Sequence, residues 1–150
     1  MSDFRERYFV GEFRHTLDAK NRLSIPSKWR FKGDEEVEFV VFPHPSGQLM
    51  VLPPSEAEKL RKAVFEQQLG DEAAQKWQYK TFSQADSLTL DANGRFTIPD
   101  KLKRKVGIDR DVVLIGMMTK FAIWSPERWE SEAPDASKDN FSQLLKEARV

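Results

Sequence analysis

One eleven-residue motif occurs twice in the chain. Residues 16–26 read TLDAKNRLSIP, residues 89–99 read TLDANGRFTIP, and seven of the eleven positions are identical. Where the copies differ, the physical character is kept, as when Leu23 becomes Phe96. A repeat of this kind indicates one supersecondary unit present in two copies. Any fold for this chain must therefore contain two equivalent units, each with an aspartate and an arginine four residues apart at its centre.

Each copy of the motif predicts a strand, a tight loop and a second strand. Residues 8–14 alternate apolar and polar side chains, which is the pattern of a strand, and residues 23–25 resume a strand that ends at Pro26. An aspartate at the start of a loop accepts hydrogen bonds from backbone N–H groups, while Asn21 and Gly94 tolerate a positive φ. The sequence therefore predicts two-stranded ribbons with basic loops at their tips.

Short helices are predicted after each motif, at residues 26–32 and 99–105. Proline is favoured in the first turn of a helix, and Gly33 and Gly107 follow as helix stops. Two pairs of strands and four further helices complete the prediction, and Trp77 in the second of these helices is expected to face inward. The strands are residues 37–42, 48–52, 111–118 and 120–124, and the helices are residues 54–69, 71–82, 126–130 and 141–148.

The composition favours an intracellular protein. The 150 residues contain no cysteine, which excludes disulfides, thiol catalysis and thiolate metal sites. No apolar run approaches the length that spans a bilayer, and the start of the chain lacks the pattern of a signal peptide. We therefore expect a cytoplasmic protein with no membrane partner, in which the charged first seven residues are loosely held.

The charges are segregated along the chain although the formal net charge is zero. Residues 12–32 contain six basic and two acidic residues, and residues 89–105 contain five and two, so both segments that include the motif are positive. Residues 33–88 have a net charge of −5 and residues 106–150 a net charge of −2. Segregation of this kind creates a local positive potential, which suits a polyanionic partner such as nucleic acid.

Catalytic and metal-binding patterns are absent from the sequence. His15 and His44 have no second ligand at metal-binding spacing, and no phosphate-binding glycine loop or nucleophile motif occurs. The acidic clusters at residues 34–36 and 127–132 are expected to be solvated surface. The sequence therefore predicts a protein that is not an enzyme and that uses no cofactor, metal ion or small-molecule substrate.

The aspartate–arginine pair of each motif has two interpretations. In the structural one, Asp18 and Asp91 brace their loops and the arginines pair with them. In the functional one, Arg22 and Arg95 present planar forks of donors to phosphate or guanine, on a ribbon that fits the major groove. We expect the aspartates to be mainly structural and the arginines functional, because an exposed ion pair adds little stability. The residues expected to flank the contact are Arg14, Lys20 and Asn21.

Two copies of LDAxxRxxIP, the run DVVLIG and the segment FAIWSPERW resemble the MraZ family. The resemblance covers about residues 9–129. It implies an α+β, β-rich fold in which tandem AbrB-like swapped-hairpin β-barrel units interleave as an intrachain pseudo-dimer with peripheral helices. The implied boundaries are 12–56 and 85–129 for the two units, 57–84 for connecting helices, and 130–150 for a tail with a short amphipathic helix.

The resemblance also implies a function, that of a nucleoid-associated transcriptional regulator that assembles into a homo-oligomeric ring. Its partner would be double-stranded promoter DNA, at short direct repeats upstream of the division and cell-wall gene cluster. Asn21 stands where the family usually has glycine before the first arginine, and Asn93 stands where it often has lysine in the second copy. The first copy is therefore expected to carry more of the binding. The DNA-contacting residues that carry over are Asp18, Lys20, Asn21 and Arg22, and Asp91, Asn93, Gly94 and Arg95.

Two other functions fit parts of the pattern. A ring-forming interaction scaffold would share the fold and have no DNA affinity. An AbrB-type antitoxin would bind DNA, but it would have one copy of the unit and a long disordered tail, whereas this chain has two copies and a short tail. Binding that weakens steeply as salt rises would distinguish a DNA-binding protein from a scaffold, because phosphate contacts release counterions.

Overall fold

The structure, a computed structural model, describes residues 7–132 and 138–150 and shows an α+β protein. The strands in these residues are β1 (Glu12–Thr16), β2 (Arg22–Ser24), β3 (Phe39–Pro43), β4 (Leu49–Leu52), β5 (Asp86–Leu88), β6 (Arg95–Thr97), β7 (Asp111–Gly116) and β8 (Phe121–Trp124). The α-helices are α1 (Pro54–Phe65), α2 (Glu72–Phe82), α3 (Asp100–Lys105), α4 (Pro126–Glu132) and α5 (Lys138–Ala148). Two short 3₁₀ helices cover Ser27–Trp29 and Asp34–Glu36.

The two copies of the motif exchange strands. The main antiparallel sheet has the order β1-β7-β8-β4-β3-β5, so the first strand of each copy pairs with a strand of the other copy. A second, two-stranded sheet joins β2 to β6, with Leu23 opposite Phe96. The prediction of a ribbon formed within one copy is therefore wrong. The ribbon takes one strand from each copy because this pairing buries both of these apolar side chains side by side.

The main core lies between this ribbon and one face of the large sheet. It contains alternate residues of β3, β4, β7 and β8 together with Leu23 and Phe96. Phe9, Trp29 and Phe121 form an aromatic group with ring centroids 5.0–5.6 Å apart, and burial of each such ring contributes about 1.5–3 kcal/mol. The opposite face of the sheet carries a smaller cluster around Met50, Val113, Ala122 and Trp124, which α4 covers with Trp129. Strand alternation therefore gives the sheet two apolar faces.

The first strand is displaced from its predicted position. β1 begins at Glu12 rather than at residue 8. Phe9 is buried in the core, and its backbone forms only an isolated bridge to Met118. Gly11, with φ 104°, separates this bridge from the strand. The break follows from that positive φ, which is outside the range of a regular strand.

The two segments that follow the motifs differ from each other. The helix predicted at residues 99–105 is present as α3, and Gly107 follows it with φ 70°, as expected of a helix stop. The α-helix predicted at residues 26–32 is wrong, because only the 3₁₀ turn Ser27–Trp29 forms. Trp29 is buried there and donates its indole N–H to the carbonyl of Val10 at 3.1 Å. The buried Trp29 is anchored by this hydrogen bond, and the backbone becomes extended at Arg30 instead of continuing as a helix.

The helices that connect the copies are shorter and more exposed than predicted. α1 ends at Phe65 instead of residue 69, and α2 begins after Asp71, whose carboxylate accepts the backbone N–H of Ala74 at 3.1 Å. The prediction that Trp77 faces inward is wrong, since 43% of it is exposed. Its ring contacts Phe82 edge-on with the centroids 5.5 Å apart. The residue therefore packs within its own helix rather than into the core.

A buried ion pair joins the start of the described chain to the first copy. The Arg7 guanidinium binds both oxygens of Asp34, at 2.8 and 2.6 Å, and lies 4.5 Å from the ring centroid of Phe31. Asp34 is 4% exposed and also accepts the backbone N–H of Phe31 at 2.8 Å. The predictions of a loosely held Arg7 and a solvated Asp34 are therefore wrong. Glu35 and Glu36, the other members of that acidic cluster, are exposed as predicted.

Substitution of Gly116 by alanine is expected to destabilise the fold by about 1–3 kcal/mol. A Cβ at this position would overlap backbone atoms of Phe9 and Val10, with the Val10 nitrogen only 2.6 Å away. Backbone cannot rotate aside as a side chain can. Gly70→Ala is the matched control, because a Cβ there has no neighbour within 4 Å. Urea unfolding of both variants tests this expectation, and equal midpoints would contradict it.

Candidate nucleic-acid interface

Loop 1, residues 18–22, is organised by one carboxylate. The Oδ1 atom of Asp18 accepts the backbone N–H groups of Lys20 and Arg22 at 2.9 and 2.8 Å, and its Oδ2 atom accepts the Nε–H of Arg22 at 2.6 Å. Asn21 has a φ of 61°, as the sequence predicted, and its N–H bonds to the carbonyl of Asp18 at 3.0 Å. A single side chain therefore fixes both the backbone of the loop and the direction of its arginine.

Loop 2, residues 91–95, repeats this network. Asp91 accepts the backbone N–H groups of Asn93 and Arg95 at 2.9 and 3.0 Å, and it accepts the Nε–H of Arg95 at 3.0 Å. Gly94 has a φ of 74°. The expectation that the aspartates brace their loops is confirmed in both copies. The arginines also take part in the brace, because the Nε–H of each donates to its aspartate.

Hydrogen bonding lowers the pKa of both carboxyl groups. The pKa of Asp18 falls to about 2, first because of the Arg22 backbone N–H and further because of its guanidinium and the Lys20 N–H, although desolvation opposes the shift. Desolvation also opposes the lowering of the Asp91 pKa, and the hydrogen bonds from Arg95 and Asn93 outweigh it. The stability contributed by Asp18 is therefore complete above its unfolded pKa of 3.8 and is lost as pH falls toward 2.

An NMR titration of the carboxyl carbons is expected to show a midpoint near 2 for Asp18. In Arg22→Ala the midpoint should move toward 3.8, because the guanidinium contact is lost. Asp91 is the internal control, since its hydrogen-bond donors remain in that variant. A wild-type Asp18 midpoint near 3.8 would contradict the hydrogen-bond network described for loop 1.

The ribbon of β2 and β6 brings the two loops together. Arg22 lies opposite Thr97 and Ser24 opposite Arg95 in the strand register. The backbone continues this pairing into both loop tips, since the carbonyl of Gly94 accepts the N–H of Ile25 at 3.0 Å and that of Asn21 accepts the N–H of Ile98 at 2.8 Å. An Arg95 Nη1 atom also lies 3.9 Å from Asp18 Oδ2. Two loops that are far apart in the sequence therefore form one surface.

A side chain from the opposite copy covers each loop tip. Over loop 1, Lys103 donates to the amide oxygen of Asn21 at 2.8 Å, while the amide nitrogen of Asn21 donates to Asp100 at 3.0 Å. Over loop 2, the side chain of Arg30 lies against Gly94. Arg30 and Lys103 are not among the residues predicted from the sequence to form this surface. Their signal is positional, because each follows its motif arginine by eight residues.

The predicted site residues thus fall into two groups. Both loops are present on the shared surface with their aspartates and arginines, and the side chains of Arg22 and Arg95 are 31% and 24% exposed. Within the guanidinium of Arg22, only the Nε–H donates a hydrogen bond to another described residue, and its acceptor is Asp18. Arg14 forms ion pairs with Glu12 and Glu130 at 3.5 and 3.7 Å, and its role beside the loops stays a prediction.

Few other features of the described residues could form a site. Among residues 7–132 and 138–150, no group of three or more histidine, cysteine or acidic residues is arranged to bind a metal ion. Within the same residues, no helix is both long and apolar enough to span a membrane. The open clefts on the described surface include one of about 320 Å³ beside loop 2, lined in part by Arg30, Lys32 and Asp91. The chemistry available at the loops is thus that of arginine and lysine side chains.

Comparison with known proteins identifies the family. Residues 81–149, which include the second copy of the motif, match the family model described as "MraZ protein, putative antitoxin-like". The protein named Transcriptional regulator MraZ in Roseiflexus sp. (strain RS-1) is 36% identical over 94% of this chain and 99% of its own length. Proteins of the same name from Lachnoclostridium phytofermentans and Leuconostoc citreum are 38% and 35% identical, over 85% and 91% of this chain and 88% and 93% of their own lengths.

The similarity to the Roseiflexus protein covers nearly the whole of both chains, so it is not confined to one copy of the motif. Their shared name places them in a class of transcriptional regulators. The chain belongs to the MraZ family.

Proposed function

We propose that this chain is a sequence-specific DNA-binding regulator of transcription. Loops 1 and 2 of a ring-shaped homo-oligomer would contact short direct repeats in the promoter of the division and cell-wall gene cluster. One observation carries the proposal: two loops with the same aspartate–arginine network lie side by side on a ribbon built from both copies. Membership of a family of transcriptional regulators supports it independently.

The geometry of the arginines suits direct contact with bases or phosphates. Asp18 holds the Nε edge of Arg22 at 2.6 Å and so fixes the plane of the guanidinium. The terminal nitrogens are then available as a preoriented fork, which matches the O6 and N7 atoms of guanine or two phosphate oxygens. Preorientation lowers the entropy lost on binding. The ion pair cancels charge, so Lys20, which is exposed on loop 1, adds a positive charge for the backbone contact.

Assembly into a ring would multiply these weak contacts. Each arginine–guanine pair contributes about 1–3 kcal/mol of discrimination, which is too little for a lone protomer to select one promoter. When one loop pair binds a repeat, neighbouring loop pairs of the ring are held near the next repeat at high effective concentration. Direct repeats are thus the DNA arrangement that a ring of identical protomers fits. Light scattering after size exclusion, with and without duplex, measures the number of protomers.

The architecture supports a finer description of the fold and of the cellular setting. We infer that the two copies are AbrB-like swapped-hairpin units, at residues 12–56 and 85–129, interleaved as a pseudo-dimer within one chain. The exchange of β1 and β5 between copies supports this inference. Residues 57–84 connect the units and residues 130–150 form the tail. A promoter-binding role implies a cytoplasmic, nucleoid-associated protein that is neither an enzyme nor cofactor-dependent.

Duplex binding as a function of salt tests the proposal. Fluorescence anisotropy should show tighter binding to the direct repeats than to a shuffled duplex of equal length, and log affinity should fall linearly with log salt. An interaction scaffold without DNA affinity would show neither preference nor salt dependence. Equal affinity for the repeats and the shuffled duplex would contradict the sequence specificity.

A further inference from the structure

Arg30 lies on the backbone of loop 2, although it belongs to the first copy of the unit. A Cβ atom at Gly94 would overlap its Nη1 atom and would stand 2.7 Å from both Cδ and Cζ. Gly94 itself is buried, with a φ of 74°. The arginine therefore occupies its position only because residue 94 has no side chain.

The equivalent position in the other copy is already occupied by internal contacts. Lys103 lies over loop 1, but its ammonium group donates to Asn21 at 2.8 Å and lies 3.9 Å from Asp100, and its side chain is 15% exposed. Arg30 is exposed. Within the described residues no hydrogen bond or ion pair joins its guanidinium to another group. The two copies have thus diverged, one basic residue being bound and the other available.

Loop 2 lacks a positive charge of its own that is free. Asn93 stands where loop 1 has Lys20, and the charge of Arg95 is balanced by Asp91 at 3.0 Å. Arg30 is placed to restore the missing charge from outside the loop. An arginine with free terminal nitrogens on an exposed backbone turn suits a phosphate group.

We propose that Arg30 binds a DNA phosphate beside the tip of loop 2 and that Gly94 is glycine in order to seat it. This inference rests on the proposed DNA-binding function and deepens it. It changes the expectation that the first copy carries more of the binding, because loop 2 gains a cation equivalent to Lys20. Arg30 acts here as a binding residue supplied by one copy to the loop of the other.

The test is the salt dependence of binding to the direct-repeat duplex upstream of the division and cell-wall gene cluster. Arg30→Ala should reduce the slope of log affinity against log salt by about 0.9 for each protomer that contacts DNA. Gly94→Asn should reduce it similarly while removing no charge, since asparagine tolerates the positive φ and its side chain displaces Arg30. Arg61→Ala is the control, because it removes the same charge from an exposed ion pair on α1.

Both Arg30→Ala and Gly94→Asn must lower the slope relative to Arg61→Ala, with wild-type circular dichroism. If either keeps the wild-type slope, the role of Arg30 is refuted while the proposed function stands. If the wild-type protein itself shows no salt-dependent duplex binding, the proposed function fails. The two failures are thereby distinguished by the wild-type titration alone.

Discussion

Asp34→Ala is expected to lower the free energy of unfolding by about 3–5 kcal/mol, because it leaves a buried guanidinium without its partner. The Arg7 side chain is 14% exposed and donates to both carboxylate oxygens, so water can replace little of what is lost. The substitution also removes the acceptor for the N–H of Phe31. Denaturant unfolding followed by tryptophan fluorescence measures the change, because Trp29 packs beside this pair and its carbonyl accepts from Arg7.

Two controls separate the ion pair from a general effect of charge. Glu35→Ala removes the adjacent, exposed carboxylate and should change the free energy of unfolding by no more than about 0.5 kcal/mol. Replacing both partners, as in Arg7→Met with Asp34→Leu, should cost less than Asp34→Ala alone, since no unpaired charge remains buried. An Asp34→Ala variant as stable as Glu35→Ala would contradict the burial of this pair.

Arg22→Ala is expected to abolish the preference for direct repeats while the fold persists. The loss of one arginine–guanine pair removes about 1–3 kcal/mol per contacting protomer, and several protomers contribute together. The backbone bonds from Lys20 and Arg22 to Asp18 do not involve the deleted group, so the loop keeps its shape. A competition assay between repeat and shuffled duplexes measures the preference, with circular dichroism as the check on folding.

Two further variants sharpen this result. Arg22→Lys keeps the charge and loses the planar fork, so it should retain salt-dependent binding and lose discrimination. Arg61→Ala, which removes an arginine from a comparable ion pair on α1, should leave both properties unchanged. If Arg22→Ala unfolds the protein, the role of the arginine is structural, and if it keeps the full preference for the repeats, loop 1 does not read the DNA.

The local features of the site could be predicted from the sequence. The positive φ at Asn21 and Gly94 follows from residue types that tolerate it, and the aspartate brace follows from spacing within one loop. Both depend on neighbours a few residues away. The same reasoning places α3 between Pro99 and Gly107, since the start and stop signals are local.

Features that depend on distant partners could not be predicted in this way. The alternation of apolar and polar residues around Leu23 is the same whether β2 pairs with β1 or with β6. The sequence of one copy alone therefore does not indicate the exchange of strands. Asp34 and Glu35 are adjacent acidic residues in the sequence, and the ion pair with the distant Arg7, which accompanies the burial of Asp34, is not visible in the local pattern. Arg30 is likewise an ordinary surface arginine until Gly94 is found beneath it.

Hydrogen exchange measured by mass spectrometry, with and without the direct-repeat duplex, tests most directly whether the paired loops form the DNA-binding surface. We expect added protection in peptides covering residues 16–26 and 89–99 together, and less protection with a shuffled duplex at the same salt concentration. Protection confined to the connecting helices or the tail, with both loops unchanged, would contradict it.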